Sequence, residues 1–238
     1  MRMFRIVFTL LSLLFAGSLA SHAAGPIPAT APDTMEQRLL ACATCHGKDG
    51  EGARKRETYP RLAGKADGYL YNQLLNFRDG RRLYPAMNYL LNHLSDDYLR
   101  EIAQYYARLK TPYPAPVSGS PAAVLAQGEM LVMKGDAARN LPACSECHGK
   151  TLAGTAPFIP ALVGLSQSYV AQQIGAWKAH GRRAAEPDCM AKVALLLTPE
   201  EINAVTVWLA AQPAPTGAAP AAAPTLKLPM DCGSVPPR

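Results

Sequence analysis

No stretch of this 238-residue chain suits a membrane-spanning helix: its chief apolar run, Ile6 to Gly17, covers about 12 residues against the roughly 20 required. A helical stripe of basic residues is also missing, as is any nucleic-acid motif, and this excludes nucleic acid as a partner. The chain has no hydrolytic triad and no phosphate-cradling glycine loop. The alternation of strands and helices that would carry a redox dithiol is absent as well. Histidine is scarce, with five in all, so few residues can bind a metal through imidazole.

What is present begins with an export signal. Arg2 and Arg5 precede the short apolar run, and small residues follow up to Ala23 and Ala24, which predicts a signal peptide over residues 1–23 and a periplasmic location. Losing Arg2 and Arg5 lowers the formal charge from +6 to +4. The mature protein is then mildly basic, a balance that favours an acidic docking partner. All six cysteines, Cys42, Cys45, Cys144, Cys147, Cys189 and Cys232, fall in the exported part. In an oxidising compartment each should be chemically occupied.

The chain repeats itself. C-A-T-C-H-G-K from Cys42 returns as C-S-E-C-H-G-K from Cys144, an offset of 102. Tyr59-Pro60, Leu62 and Gly64 answer to Ile159-Pro160, Leu162 and Gly164. Tyr69, Gln73 and Phe77 answer to Tyr169, Gln173 and Trp177. Gly80-Arg-Arg recurs at Gly181, Met87 as Met190, and Leu94-Ser-Asp-Asp as Leu197-Thr-Pro-Glu. A duplicated unit decides the architecture. The spacing predicts helices over 35–41 and 123–133 leading into the two motifs, then helices over 67–77 and 167–180. Final helices capped by Ser95 and Thr198 should run to about Leu109 and Ala211. Leu99, Ile102 and Tyr106 share one face of the first, and Ile202, Val205 and Leu209 share one face of the second. Units over 24–110 and 122–212 are expected, joined by an extended Pro-rich linker over 111–121 and followed by an Ala/Pro-rich tail over 213–238.

C-x-x-C-H attaches haem c for a geometric reason. On one helical turn the two thiols reach the two vinyl groups, and the histidine that follows lies under the iron. From this composition about 0.003 such matches are expected by chance, and two occur. A redox dithiol and a zinc site pooling both cysteine pairs are the competing readings; each pair has its own histidine and its own helical context. Covalent haem at Cys42/Cys45 and Cys144/Cys147, with His46 and His148 as axial ligands, is therefore expected. Met87 lies 41 residues beyond His46 and Met190 lies 42 beyond His148, and this shared spacing makes both methionines candidate sixth ligands. A thioether opposite imidazole raises the potential and leaves no open position for substrate. Met130 and Met133 are expected in the core. His93 and His180 are rival ligands at non-equivalent places in the repeat, expected at the surface or in packing, and His22 falls beside the cleavage site.

The paired motifs, Pro-x-Leu-x-Gly at Pro60 and Pro160, F-R-D-G-R-R at Phe77 and G-D-A-A-R-N-L-P-A-C before the second haem motif resemble the cytochrome c4 family over about Met35 to Gln212. The resemblance implies an all-α fold of two tandem class I cytochrome c domains related by a pseudo-twofold, each wrapped around one covalent haem. It implies an electron carrier rather than an enzyme, working between a donor such as a quinol-oxidising complex or dehydrogenase and an acceptor such as a terminal oxidase, with peripheral association with membrane complexes. A cytochrome subunit of a dehydrogenase and a dihaem peroxidase are the alternatives. It further implies that the carbonyls of Pro60 and Pro160 accept hydrogen bonds from His46 and His148. The tail and Cys189 depart from the family pattern. With four cysteines assigned to haem, Cys189 and Cys232 remain, and a disulfide pinning the tail over the methionine side of the second haem is expected; the alternative is two separate thiols, one bonded to another protein.

Overall fold

The computed structural model describes residues 34–53, 59–215, 220 and 228–235. The expected signal peptide, with His22, lies outside the described residues, as does most of the Ala/Pro run. Among the described residues the regular structure is helical: α1 Met35–Arg38, α2 Leu40–His46, α3 Asp67–Arg78, α4 Pro85–Leu91, α5 Asp96–Arg108, α6 Ala122–Lys134, α7 Cys144–His148, α8 Gln167–Lys178, α9 Cys189–Leu196 and α10 Pro199–Ala210. A short 3-10 turn over Ala137–Arg139 precedes α7.

The helices build two separate hydrophobic cores. One gathers Leu39, Leu70, Phe77, Leu99, Ile102 and Tyr106; the other gathers Val132, Tyr169, Ile174, Trp177, Val205 and Leu209. Leu99, Ile102 and Tyr106 are buried as their shared face on α5 requires, while on α10 Val205 and Leu209 are buried and Ile202 is half-buried. Each fully buried side chain of this kind contributes about 1.5–3 kcal/mol. The α5 cap is Ser95, whose hydroxyl accepts from the Tyr98 amide. For α10, Thr198 and Glu201 form a reciprocal capping box. Arg139 bridges Asp136 and Glu201 at 2.7 Å each, tying the loop before α7 to the start of α10.

Two expectations need correction. Met130 and Met133 are exposed rather than core, at 43% and 37%, and the buried residues beside them are Leu131 and Val132. The face of α6 that meets α10 is set by Gly128, Leu131 and Val132, which turns both methionines outward. The helix leading into the first haem motif is also not continuous: Leu39, with ψ near 2°, separates α1 from α2.

Gly128 explains how closely α6 and α10 cross. A Cβ there would collide with the Ala204 carbonyl oxygen and stand 2.6 Å from Trp208 Cβ. Backbone cannot yield as a flexible side chain can, so Gly128→Leu should destabilise the protein by about 1–3 kcal/mol or more. A lowered denaturant midpoint at unchanged slope will register this.

The residues between α5 and α6 form no regular secondary structure, and both units hold them. The Arg61 guanidinium donates to the carbonyls of Thr111 and Pro112 and stacks on Tyr113, 4.2 Å from the ring centre. Tyr113 in turn lies against Gly164, and the Val117 amide donates to the Ala210 carbonyl at 2.9 Å.

Candidate functional site

The fold brings the motif residues together twice. α2 and α7 each carry a C-x-x-C-H segment on a short helix that ends at a positive-φ glycine, Gly47 (φ 84°) or Gly149 (φ 81°). From there the chain turns back to Pro60 or Pro160. His46 Nδ1 lies 2.8 Å from the Pro60 carbonyl oxygen, and His148 Nδ1 lies 2.8 Å from that of Pro160. A carbonyl can only accept, so Nδ1 carries the proton and Nε2 keeps its lone pair. Both rings are buried, and burial pushes their pKa down, which keeps the imidazoles neutral and able to ligate.

One cavity of about 280 Å3 is lined by Cys42, Cys45, His46, Met87 and the apolar side chains Leu70, Leu74 and Phe77. A second of about 180 Å3 is lined by Cys144, Cys147, His148, Met190, Val170 and Ile174. Each methionine thus shares a cavity with the histidine of its own unit. His93 and His180 are exposed and line neither cavity. Burial pushes the Cys144 and Cys147 thiols up to about 12 and about 11, and raises Cys42 as well. A redox dithiol needs the opposite, a thiol pushed toward thiolate. No group of three or more His, Cys, Asp or Glu side chains is placed to hold a metal ion among the described residues, so the two cysteine pairs do not pool into a zinc site.

The methionine loops are fastened differently. In the first unit Asn88 accepts from the Tyr84 amide and donates to the carbonyls of Phe77 and Arg82. In the second, Asp188 is buried at the start of α9; it accepts from the amides of Ala184 and Ala191 and from the Trp177 indole. Cys189 and Cys232 are joined in a disulfide, and tail residues Leu228, Met230 and Val235 line the second cavity. Among the described residues the first cavity has no such cover: Leu83, Tyr84, Tyr89 and Leu90 beside Met87 are exposed, Tyr89 at 85%. The bridge closes a loop with a sequence separation of 43. Cys189→Ser with Cys232→Ser should therefore cost on the order of 4 kcal/mol by chain entropy alone. The loss will appear in denaturant unfolding together with faster proteolysis of the tail.

Between the cavities lies a polar network that the residue patterns had not marked as functional. Arg82 donates to Gln73, Gln173 and the Tyr169 hydroxyl; Arg182 donates to Gln173, Gln73 and the Tyr69 hydroxyl. Arg82 stacks on Phe77 and Arg182 on Trp177. The Leu83 amide donates to the Gly181 carbonyl and the Arg183 amide to that of Arg81, so the two units meet through reciprocal contacts, as a pseudo-twofold requires. The signal was in the repeat. Tyr69, Gln73 and Arg82 match Tyr169, Gln173 and Arg182 at an offset of 100, which corrects the correspondence of Gly80 with Gly181: the structure makes Gly80 equivalent to His180, both at positive φ with amides donating to Phe77 and Trp177.

Two helical units, each with a thiol pair, a neutral imidazole and a thioether around one apolar cavity, define a tandem class I cytochrome c. The family model for cytochrome c matches residues 37–110. A thiosulfate dehydrogenase electron acceptor of Thiomonas intermedia is 41% identical over 214 residues, covering 89% of this chain and 92% of that protein. Cytochrome c4 of Pseudomonas aeruginosa is 34% identical, covering 84% of this chain and 96% of its own. The crystal structure of reduced recombinant cytochrome c4 from Pseudomonas stutzeri superposes with a TM-score of 0.64 at 28% identity, over 74% of this chain and 95% of that one. The chain belongs to the cytochrome c4-like family of dihaem cytochromes: it carries two covalently bound haem c groups and mediates electron transfer.

The residues present fit that cofactor. The cavities are apolar, as a porphyrin face requires, and the free Nε2 of each histidine suits iron. The buried cations Lys65, Arg82 and Arg182 pair with no carboxylate among the described residues. Haem propionates are anions of the kind that would complete their charge balance.

Proposed function

We propose that the first haem is attached at Cys42 and Cys45 with His46 and Met87 as axial ligands, and the second at Cys144 and Cys147 with His148 and Met190. The observation that carries this is the gathering, in each cavity, of the thiol pair, a histidine whose Nδ1 proton is already engaged, and the methionine of the same unit. Bound there, the iron supplies reversible one-electron chemistry; the chain binds, orients and shields it. Pro60 and Pro160 fix the imidazole planes and raise ligand basicity through the Nδ1 hydrogen bonds. With imidazole and thioether on both irons, neither offers an open position, so the protein is a carrier and not a peroxidase.

The carrier works in the periplasm, between a donor and an acceptor of a respiratory chain. The names of the relatives favour a thiosulfate dehydrogenase as donor, either as a diffusing partner or with this chain as its cytochrome subunit. A quinol-oxidising complex is the other donor class, and a terminal oxidase is the acceptor. The test is to mix the oxidised dihaem protein with a thiosulfate dehydrogenase and thiosulfate, and to follow the ferrous absorption bands in stopped flow. Rapid reduction of both haems is expected. Reduction no faster than with thiosulfate alone excludes this donor.

A further inference from the structure

Lys65 breaks the symmetry of the repeat. By the Leu62/Gly64 and Leu162/Gly164 correspondence its counterpart is Leu165, an apolar residue packed against the second core. Lys65 is only 7% exposed and belongs to the first unit, yet it lines both cavities, alongside Cys144, Cys147 and His148 in one and Cys42, Cys45 and His46 in the other. Its ammonium makes no hydrogen bond or ion pair with another described residue. Arg82 and Arg182, in contrast, are an equivalent pair that serves the two units alike. Among the described residues four cations are buried; Arg61, whose counterpart Ala161 is also uncharged, is held by the carbonyls of Ala63, Thr111 and Pro112 and lines the first cavity alone, whereas Lys65 lines both cavities and has no charged counterpart across the pseudo-twofold.

No enclosed side-chain nitrogen lacks a partner among the described residues, so the unpaired ammonium opens onto the cavities it lines, where an anion bound in them would pair with it. Lys65 acts electrostatically on His148, whereas the arginine felt by His46 is Arg82. Burial lowers the Lys65 pKa to about 8, which leaves it charged at neutral pH. Reduction of an iron centre adds one negative charge, and a nearby cation in a medium of low polarity favours that state.

We infer that Lys65 is a positioning charge that engages haem propionate across the interface and raises the reduction potential of the second haem relative to the first, so that a single electron rests on the second unit. This rests on the haem assignment proposed above. The two otherwise similar units are thereby made unequal, and electron flow between them acquires a direction.

The test is a redox titration of the intact dihaem protein at neutral pH, with Lys65→Leu, which copies Leu165, Lys65→Met, which keeps length without charge, and Lys65→Arg. The two waves are assigned by the separate shift that Met190→Ala imposes. Loss of the charge should move the one-electron distribution at least tenfold away from the second haem, which is 59 mV for a one-electron couple. Lys65→Arg should retain the wild-type distribution. A haem count of two, unchanged methionine-ligation bands and unmoved midpoints in Lys65→Leu and Lys65→Met would overturn the role given to Lys65 while leaving the haem assignment intact. A wild-type haem count below two would overturn the assignment itself.

Discussion

Cys144→Ala with Cys147→Ala will yield a protein that keeps one covalent haem where the parent keeps two. The parent's haem stain survives denaturing electrophoresis because thioether bonds hold the porphyrin when the fold is gone, and in the variant only the first unit will hold its share. The pyridine haemochrome content should halve, and the intact mass should fall by one haem. The reciprocal pair Cys42→Ala with Cys45→Ala should give the same count from the other unit. A loss of stability is expected in each variant as well. The second core packs Val170, Ile174 and Trp177 around the same cavity that Cys144 and His148 line, and a large apolar cavity without its contents forfeits packing contacts on every wall. Two haems recovered in either double variant would show that attachment lies elsewhere.

The backbone of this outcome was legible in the residues because the local chemistry is demanding. Ser95 and Thr198 were readable as caps since few residues accept from an amide at the start of a helix, and the periodic Leu99, Ile102 and Tyr106 named the buried face of α5. Met87 and Met190 were legible through equal spacing from two histidines. The interface was less so. Gln73 and Arg82 are nine residues apart, as are Gln173 and Arg182, but the two pairs come from different units, 91 and 109 residues apart across the bonds that join them, and only tertiary folding brings all four side chains within hydrogen-bonding distance. Lys65 reads as an ordinary surface lysine in a loop; its burial follows from the approach of the second unit. Met130 and Met133 were misplaced for a related reason. α6 is apolar nearly all round, so periodicity could not choose its buried face, and the close crossing permitted by Gly128 made the choice.

Met190→Ala and Met87→Ala will each lower one midpoint potential by on the order of a few tenths of a volt, within the roughly 0.8 V range that axial ligation spans. A thioether favours ferrous iron, and its loss removes that preference from one centre alone. The same variants should bind carbon monoxide at one haem in the ferrous state, where the parent binds none. The two replacements will differ in a way the structure dictates. Met190 lies beside the disulfide, under tail residues Leu228 and Met230 and next to the Asp188 cap of α9, so access to its iron should be slow until the Cys189–Cys232 bridge is removed. Met87 sits in a helix whose neighbours Leu83, Tyr84, Tyr89 and Leu90 are exposed, and carbon monoxide should reach that iron without delay. Equal binding rates in the two variants would mean that the tail does not guard the second haem. An unmoved potential in either variant would remove that methionine from the ligand set and reopen the choice between carrier and peroxidase at that unit.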